Sequence, residues 1–193
     1  MIAIIDYGLG NISNITRAIQ HLGYDVILTC DDKDVQKAEA IVLPGVGHFR
    51  DAMHSIEEKG IKDMLKNIHD KPIIGICLGM QLLFQHSAEG DISGLELVPG
   101  NIVPIQSSHP IPHLGWNELK STHPLLQSDV YFVHSYQAEM SEYVVAYADY
   151  GTKIPGVIQY RNYIGIQFHP EKSGTYGFCL LYTSPSPRDK RQS

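Results

Sequence analysis

Three residues of this sequence could do nucleophilic chemistry together. Cys77 sits in Gly75-Ile76-Cys77-Leu78-Gly79, the cysteine counterpart of the G-x-S-x-G nucleophile elbow, and His169 and Glu171 flank Pro170 near the end of the chain. Small residues two before and two after the cysteine relieve crowding where a chain turns sharply from strand into helix. A thiol at that turn meets the positive partial field of a helix start, which favours the thiolate. The Leu78 N–H can then point at the oxygen of an attacked carbonyl as half of an oxyanion hole. Taken alone, the pattern is equally a buried cysteine in an apolar strand with incidental glycines.

His169 and Glu171 shift that balance. With ten histidines in the chain, any one of them is by default a surface or core residue. In extended backbone, however, residues i and i+2 face one side, and Pro170 stiffens their spacing. Glu171 can thereby fix the tautomer of His169, and His169 can carry the proton of a thiol nucleophile, giving a triad in the order Cys, His, Glu.

Strands and helices must position these groups. Apolar runs at Ile2–Ile5, Val26–Leu28, Ala40–Leu43 and Pro72–Ile76 predict buried strands. Helical spacing of apolar residues predicts helices through Ile12–Leu22, with Asn11 or Ser13 as N-cap and Gly23 as stop, through Phe49–Ile56, through Ile61–Ile68 and from Gly79 to His86. This alternation implies an α/β fold with a mostly parallel central sheet flanked by helices. From about Gly100 the pattern changes to short strands, Asn101–Val103, Leu114–Leu119, Val130–His134, Val144–Ala148, Val157–Tyr160 and Ile164–Phe168, so the second half is strand-rich and partly antiparallel.

Composition excludes several classes. At 193 residues the chain fits one domain, and a net charge of −6 with no basic patch before residue 188 argues against a nucleic-acid partner. No basic leader precedes the short apolar start, and no run of about 18 apolar residues occurs, so neither secretion nor a membrane is expected and the cytoplasm is the expected setting. Three widely spaced cysteines, Cys30, Cys77 and Cys179, suggest neither disulfides nor zinc. No cofactor is expected. Gly8-Leu9-Gly10 could open a dinucleotide fingerprint, but Ser13 stands where its third glycine belongs. His109 and His113 could be metal ligands, but Pro110 and Pro112 break the helix that would align them and no third ligand is evident.

The chain closely resembles the class I glutamine amidotransferases, and within them the histidine-pathway glutaminases that feed ammonia to a cyclase. The resemblance runs from Met1 to about Leu181 and rests on segments 6–11, 44–49, 75–81, 112–117, 132–136 and 167–174, among them Asp6-Tyr7-Gly8-Leu9-Gly10-Asn11, Gly115-Trp116-Asn117 and Gln167-Phe168-His169-Pro170-Glu171. It implies that Cys77 attacks the side-chain amide of glutamine and that His169, backed by Glu171, protonates the leaving ammonia. It implies also that Gly45-Val46-Gly47 supplies a second oxyanion donor beside Leu78, and that Gln81, Ser135 and Tyr136 hold the glutamine. By the same resemblance Asn11, Asn14 and Lys172 face a (β/α)8-barrel cyclase in a heterodimer. Other amidotransferases, a non-catalytic subunit of the same fold and a cysteine peptidase are the rival readings.

The chain departs from that family after residue 182. The helix opening near Thr175 gives way to Thr183-Ser184-Pro185-Ser186-Pro187-Arg188 and a polar, basic run that cannot extend a helix. The expected organisation is one amidotransferase domain over 1–182 and a non-native-looking or disordered tail over 183–193.

Overall fold

The computed structural model describes residues 1–174. The helix expected from Thr175, Cys179 and the 183–193 tail lie outside the described residues. In chain order the elements are β1 (Ile2–Ile5), α1 (Ile12–His21), β2 (Val26–Thr29), α2 (Asp32–Lys37), β3 (Ala40–Leu43), α3 (Phe49–Glu58), α4 (Ile61–Lys66), β4 (Ile73–Ile76) and α5 (Leu78–Leu82). There follow β5 (Phe84–Ser87), β6 (Ile92–Ser93), β7 (Val98–Pro104), β8 (His113–Lys120), β9 (Asp129–His134), β10 (Tyr136–Ala138), β11 (Val144–Asp149), β12 (Lys153–Tyr160) and β13 (Tyr163–Ile166).

Nine strands form the main sheet in the order β2-β1-β3-β4-β13-β12-β11-β8-β9. The first five run parallel and the rest pair antiparallel. β13 joins the two halves of the chain, because it leaves β12 as a hairpin and lies parallel to β4 with Gly165 opposite Gly75. The carboxyl ends of β1, β3, β4 and β13 therefore share one edge, where sheets of this kind hold their ligands. A second sheet, β10-β7-β5-β6, contributes the flank of that edge.

Alternate residues of the parallel strands feed two cores. Ala3, Ile5, Ile41, Leu43 and Ile73 pack with Phe49, Met53 and Ile56 of α3 and Ile61 and Leu65 of α4. Ile4, Val42, Ile74 and Ile76 pack with Ile15 and Ile19 of α1, and with Phe132 and Phe168 from the second half. Each fully buried side chain of this kind contributes about 1.5–3 kcal/mol, so packing rather than propensity holds these short helices.

Three sequence expectations change, and one element, α2, was not expected. β2 is an edge strand with Leu28 half exposed, not a buried one. α2 carries only Val35 into the core and so lacked the apolar period; the Asp31 carboxylate caps it by accepting from the Lys33 N–H at 2.7 Å. The helix expected over Gly79–His86 stops at Leu82, because the Leu82 and Leu83 carbonyls accept from the N–H groups of Leu95, Leu97 and Val98, which draws the chain into β5. β13 ends at Ile166, two residues before the expected Phe168.

Candidate active site

Cys77 occupies the turn between β4 and α5 with φ 53° and ψ −113°, a backbone conformation that L residues adopt only at a cost of about 1–3 kcal/mol. Its own N–H is held by the Ile166 carbonyl of β13 at 2.7 Å, and its carbonyl accepts from the N–H groups of Met80 and Gln81. The flanking glycines are required by close approach. A Cβ on Gly79 would lie 1.9 Å from the Leu43 carbonyl oxygen, and one on Gly75 would lie 2.5 Å from the Gly79 oxygen. Gly45 meets the same turn from the other side, where a Cβ would sit 2.5 Å from the Gly79 nitrogen. With α5 only five residues long, the turn lacks the field of a long helix.

His169 and Glu171 reach each other differently from the extended pairing expected of them. Pro170–Lys172 is a 3-10 turn, for which proline at the first position is suited, and that turn brings Glu171 back beneath the ring of His169. The His169 Nδ1–H donates to Glu171 Oε1 at 2.9 Å, and both side chains are almost fully buried. Burial works against the imidazolium, yet hydrogen bonds to Cys77 and Glu171, together with their charge, outweigh it and raise His169 from 6.5 to about 9. Burial likewise works to raise Glu171, but the hydrogen bond and charge of His169 hold its carboxyl below the usual carboxylate range. The backbone is stapled as well. The His169 N–H donates to the Tyr131 carbonyl of β9, and the buried Ser173 hydroxyl donates to the His169 carbonyl while accepting from the Tyr131 N–H.

Cys77 and His169 open onto a cavity of about 380 Å³ lined also by Val46, Gly47, Leu78, Gln81, Ser135 and Tyr136. Gly45 stands behind this wall against the α5 backbone, and Glu171 stands behind His169. Gln81 Nε2 donates to the Tyr136 carbonyl at 2.9 Å and to Gln167 Oε1 at 3.0 Å. Both of its amide hydrogens are thus used, and Gln81 offers a bound molecule only its Oε1 acceptor. Asn11 stands at the N-cap position of α1 but does not cap it; its Nδ2 donates to Glu171 Oε1 at 3.3 Å. Asn14 is exposed on α1, and exposed Lys172 holds its Nζ 5.7 Å from the centre of the Tyr131 ring.

Sequence reasoning passed over four cavity residues: Glu89, Pro112, Val133 and His134. Glu89, in the turn between β5 and β6, accepts from the Phe49 N–H at 3.0 Å and brings a carboxylate to the cavity. It carries no local signal, because the helix expected to continue to His86 hid the turn. His134 Nδ1–H donates to the Tyr136 carbonyl at 2.8 Å, so its Nε2 accepts from His113 Nδ1–H at 3.2 Å. His113 Nε2 in turn accepts from Asn117 Nδ2 at 3.3 Å. Both rings are neutral: burial pushes His113 down to about 4, and burial, aided by the charges of His113 and His169 against the Tyr136 hydrogen bond, pushes His134 down to about 3. With both nitrogens of His113 engaged, the pairing of His109 and His113 as metal ligands finds no support.

A parallel sheet whose carboxyl edge presents a strained cysteine to a buried His–Glu pair defines a class of protein. The glutamine amidotransferase class-I family model matches residues 3–177, and the chain belongs to that family. It is 96% identical over 181 residues, covering 94% of each chain, to the imidazole glycerol phosphate synthase subunit HisH of Staphylococcus epidermidis, and 64% identical over 181 residues, 94% of this chain and 91% of the other, to that of Staphylococcus saprophyticus. Among solved structures, one described as a glutamine amidotransferase superposes with a TM-score of 0.76 at 16% identity, covering 94% of this chain and 95% of the other. PurLQS from Thermotoga maritima superposes with a TM-score of 0.68 at 18% identity, covering 95% and 96%. At such identities these two speak for the fold alone.

Proposed function

We propose that this chain is the glutaminase subunit of an imidazole glycerol phosphate synthase, releasing ammonia from glutamine for a (β/α)8-barrel cyclase partner in histidine biosynthesis. The observation that carries this reading is Cys77 and His169 on one cavity wall with Glu171 2.9 Å behind the imidazole, in a chain whose curated relatives bear the HisH name. A cavity of about 380 Å³ suits a single amino acid.

The chemistry follows from the geometry. The Cys77 sulfur attacks the δ-carboxamide carbon of glutamine, and the carbonyl oxygen gathers negative charge in front of the Leu78 N–H and the Gly45-Val46-Gly47 loop. His169 delivers a proton to the nitrogen as the C–N bond breaks, so that ammonia leaves and a thioester remains. Water, losing its proton to His169, then attacks the thioester and releases glutamate and the thiol. Gln81, able only to accept, and the Glu89 carboxylate suit the ammonium end of the substrate, and Ser135 and Tyr136 line the same cavity.

The partner surface is supported by exposed apolar side chains that adjoin the cavity. Leu114 and Trp116 of β8 are each 59% exposed and pair across the ladder with Val133, a cavity residue, and Tyr131, whose carbonyl holds His169. Asn14 and Lys172 border the same end of the molecule. Ring closure, the lyase half of the overall reaction, belongs to the barrel partner. The setting is the cytoplasm; among the described residues no helix is long and apolar enough to cross a membrane.

The test is glutamate release from glutamine, with and without the cyclase, for the wild type and Cys77→Ala. The wild type turns over and the cyclase stimulates it, whereas Cys77→Ala loses on the order of 10⁴-fold or more of the rate. Full activity in Cys77→Ala would sink the mechanism, and absence of stimulation would sink the partner.

A further inference from the structure

Gln167 lies one residue beyond β13, fully buried, with its N–H tied to the Gly156 carbonyl at 2.9 Å. Its Nε2 is 3.9 Å from the Cys77 sulfur. An amide end is an oxygen or a nitrogen according to its neighbours, and here the neighbours decide. The Tyr136 carbonyl can only accept, so Gln81 must turn its NH2 toward it at 2.9 Å. That same NH2 lies 3.0 Å from the other amide, which must therefore present its oxygen, and Gln167 is left with its NH2 toward the sulfur. A flip of Gln81 would set oxygen against oxygen, and a flip of Gln167 would set NH2 against NH2.

Building on the glutaminase reading above, we propose that Gln167 is a positioning residue for the nucleophile, its Nε2–H directed at the Cys77 sulfur and locked there by Gln81 and the Tyr136 carbonyl. An N–H dipole of fixed direction favours a thiolate over a thiol, because the bond to the anion is charge-assisted and the surroundings are dry. Even at 3.9 Å such a dipole acts on a charge, and it costs no reorganisation when the charge forms. It also restricts the rotation of the Cys77 side chain. The chain of amides has a second consequence. Gln81 lines the cavity, so the group that receives the substrate is one hydrogen bond from the group that orients the nucleophile.

A buried glutamine serving only to satisfy Gln81 would make different predictions. Gln167→Glu keeps the acceptor for Gln81 but replaces the donor with a carboxylate oxygen facing the sulfur; Gln167→Leu removes both. The measurement is the rate of Cys77 alkylation by iodoacetamide across pH 5–9.5 on the full chain, read peptide by peptide with mass spectrometry, alongside kcat and KM for glutamate release. At pH 7 alkylation falls on the order of tenfold or more in Gln167→Glu and about threefold in Gln167→Leu, with the profile moved to higher pH. kcat falls in parallel while KM stays within about twofold. Wild-type alkylation profiles in both variants overturn the proposal, as does a loss in Gln167→Leu equal to or greater than that in Gln167→Glu. Should Gln167→Glu fail to fold by circular dichroism, the profile of Gln167→Leu decides alone, supporting the proposal if moved and overturning it if unmoved. Alkylation needs no glutamine, so a wild type without glutaminase activity would remove the functional reading and leave this test standing.

Discussion

Replacing Glu171 with glutamine changes one atom and removes one charge, and its effect can be worked from the site. His169 is raised from 6.5 to about 9 by Cys77 and Glu171 against the opposing effect of burial. At about 1.4 kcal/mol per factor of ten, that preference for the imidazolium is on the order of 3 kcal/mol. Two groups share it, so loss of the Glu171 charge removes roughly 1.5–2 kcal/mol, a factor of about 10–30. The same charge stabilises the imidazolium when His169 holds a proton during turnover, so kcat in Glu171→Gln falls about 10- to 100-fold. KM stays within about twofold, because Glu171 stands behind the ring and touches no substrate. Stability changes too. Glu171 Oε2 is buried with no hydrogen-bond partner among the described residues, and an NH2 placed there adds an unsatisfied donor costing about 1–3 kcal/mol. The pH limbs have opposite signs. The raised value of His169 gives stability that is complete below pH 6.5 and is lost as pH rises toward 9, while the lowered value of Glu171 gives stability present above its unfolded range and lost as pH falls. Glu171→Gln flattens both. Ring-labelled histidine NMR follows the His169 titration while glutamate release gives kcat and KM over pH 6–9.5; the His169 midpoint drops by about 1 to 1.5 pH units. An unmoved midpoint, or a raised KM with kcat retained, would refute the reasoning.

Three further outcomes follow from packing, titration and exposure. Gly79→Ala drives a Cβ to 1.9 Å from a backbone oxygen and yields no soluble folded protein, whereas Gly60→Ala, with φ 67° and open space around it, costs about 1 kcal/mol; soluble yield for the first and a thermal melt for the second decide. His113 and His134, depressed to about 4 and about 3, contribute stability present above pH 6.5 that is lost as pH falls toward those values, at up to roughly 3 kcal/mol per pH unit for the pair. Urea midpoints at pH 7, 6 and 5 measure that slope, and an equally steep slope in His134→Gln would exclude the pair as its source. Trp116→Ala weakens cyclase binding by about 2 kcal/mol, roughly 30-fold in Kd by calorimetry, and leaves cyclase-free glutamate release unchanged.

The parallel half of the fold was legible because β1, β3 and β4 are buried on both faces and, like the edge strand β2, read as unbroken apolar runs, and its main helices carry apolar residues at helical spacing. What hid were elements with little apolar content to bury. α2 brings one side chain to the core and is fixed by an aspartate cap, and β6 and β10 are two and three residues long. The early end of α5 was invisible for a different reason. Leu78–Leu82 has helical spacing, and only long-range bonds from Leu95, Leu97 and Val98 end it.

The site divides along the same line. Cys77, His169 and Glu171 could be picked from sequence because the elbow glycines and the His-Pro-Glu run are local patterns, although the pattern gave the wrong backbone for the latter pair: a 3-10 turn, not a pleat, closes it. Glu89, His134 and Gln167 could not be picked in the same way. Each acts through a partner far along the chain, Phe49, His113 and Cys77, and contact at such separations exists only once the sheet has aligned its carboxyl edge. The strain at Cys77 belongs to this second kind. Glycine would adopt φ 53° at little cost, and the nucleophile must nevertheless be cysteine, so the conformation has to be imposed from outside. The Ile166 carbonyl, the glycine contacts of the elbow and the surrounding core impose it. The reactive geometry is thus a property of the closed sheet rather than of the five-residue motif that marks it.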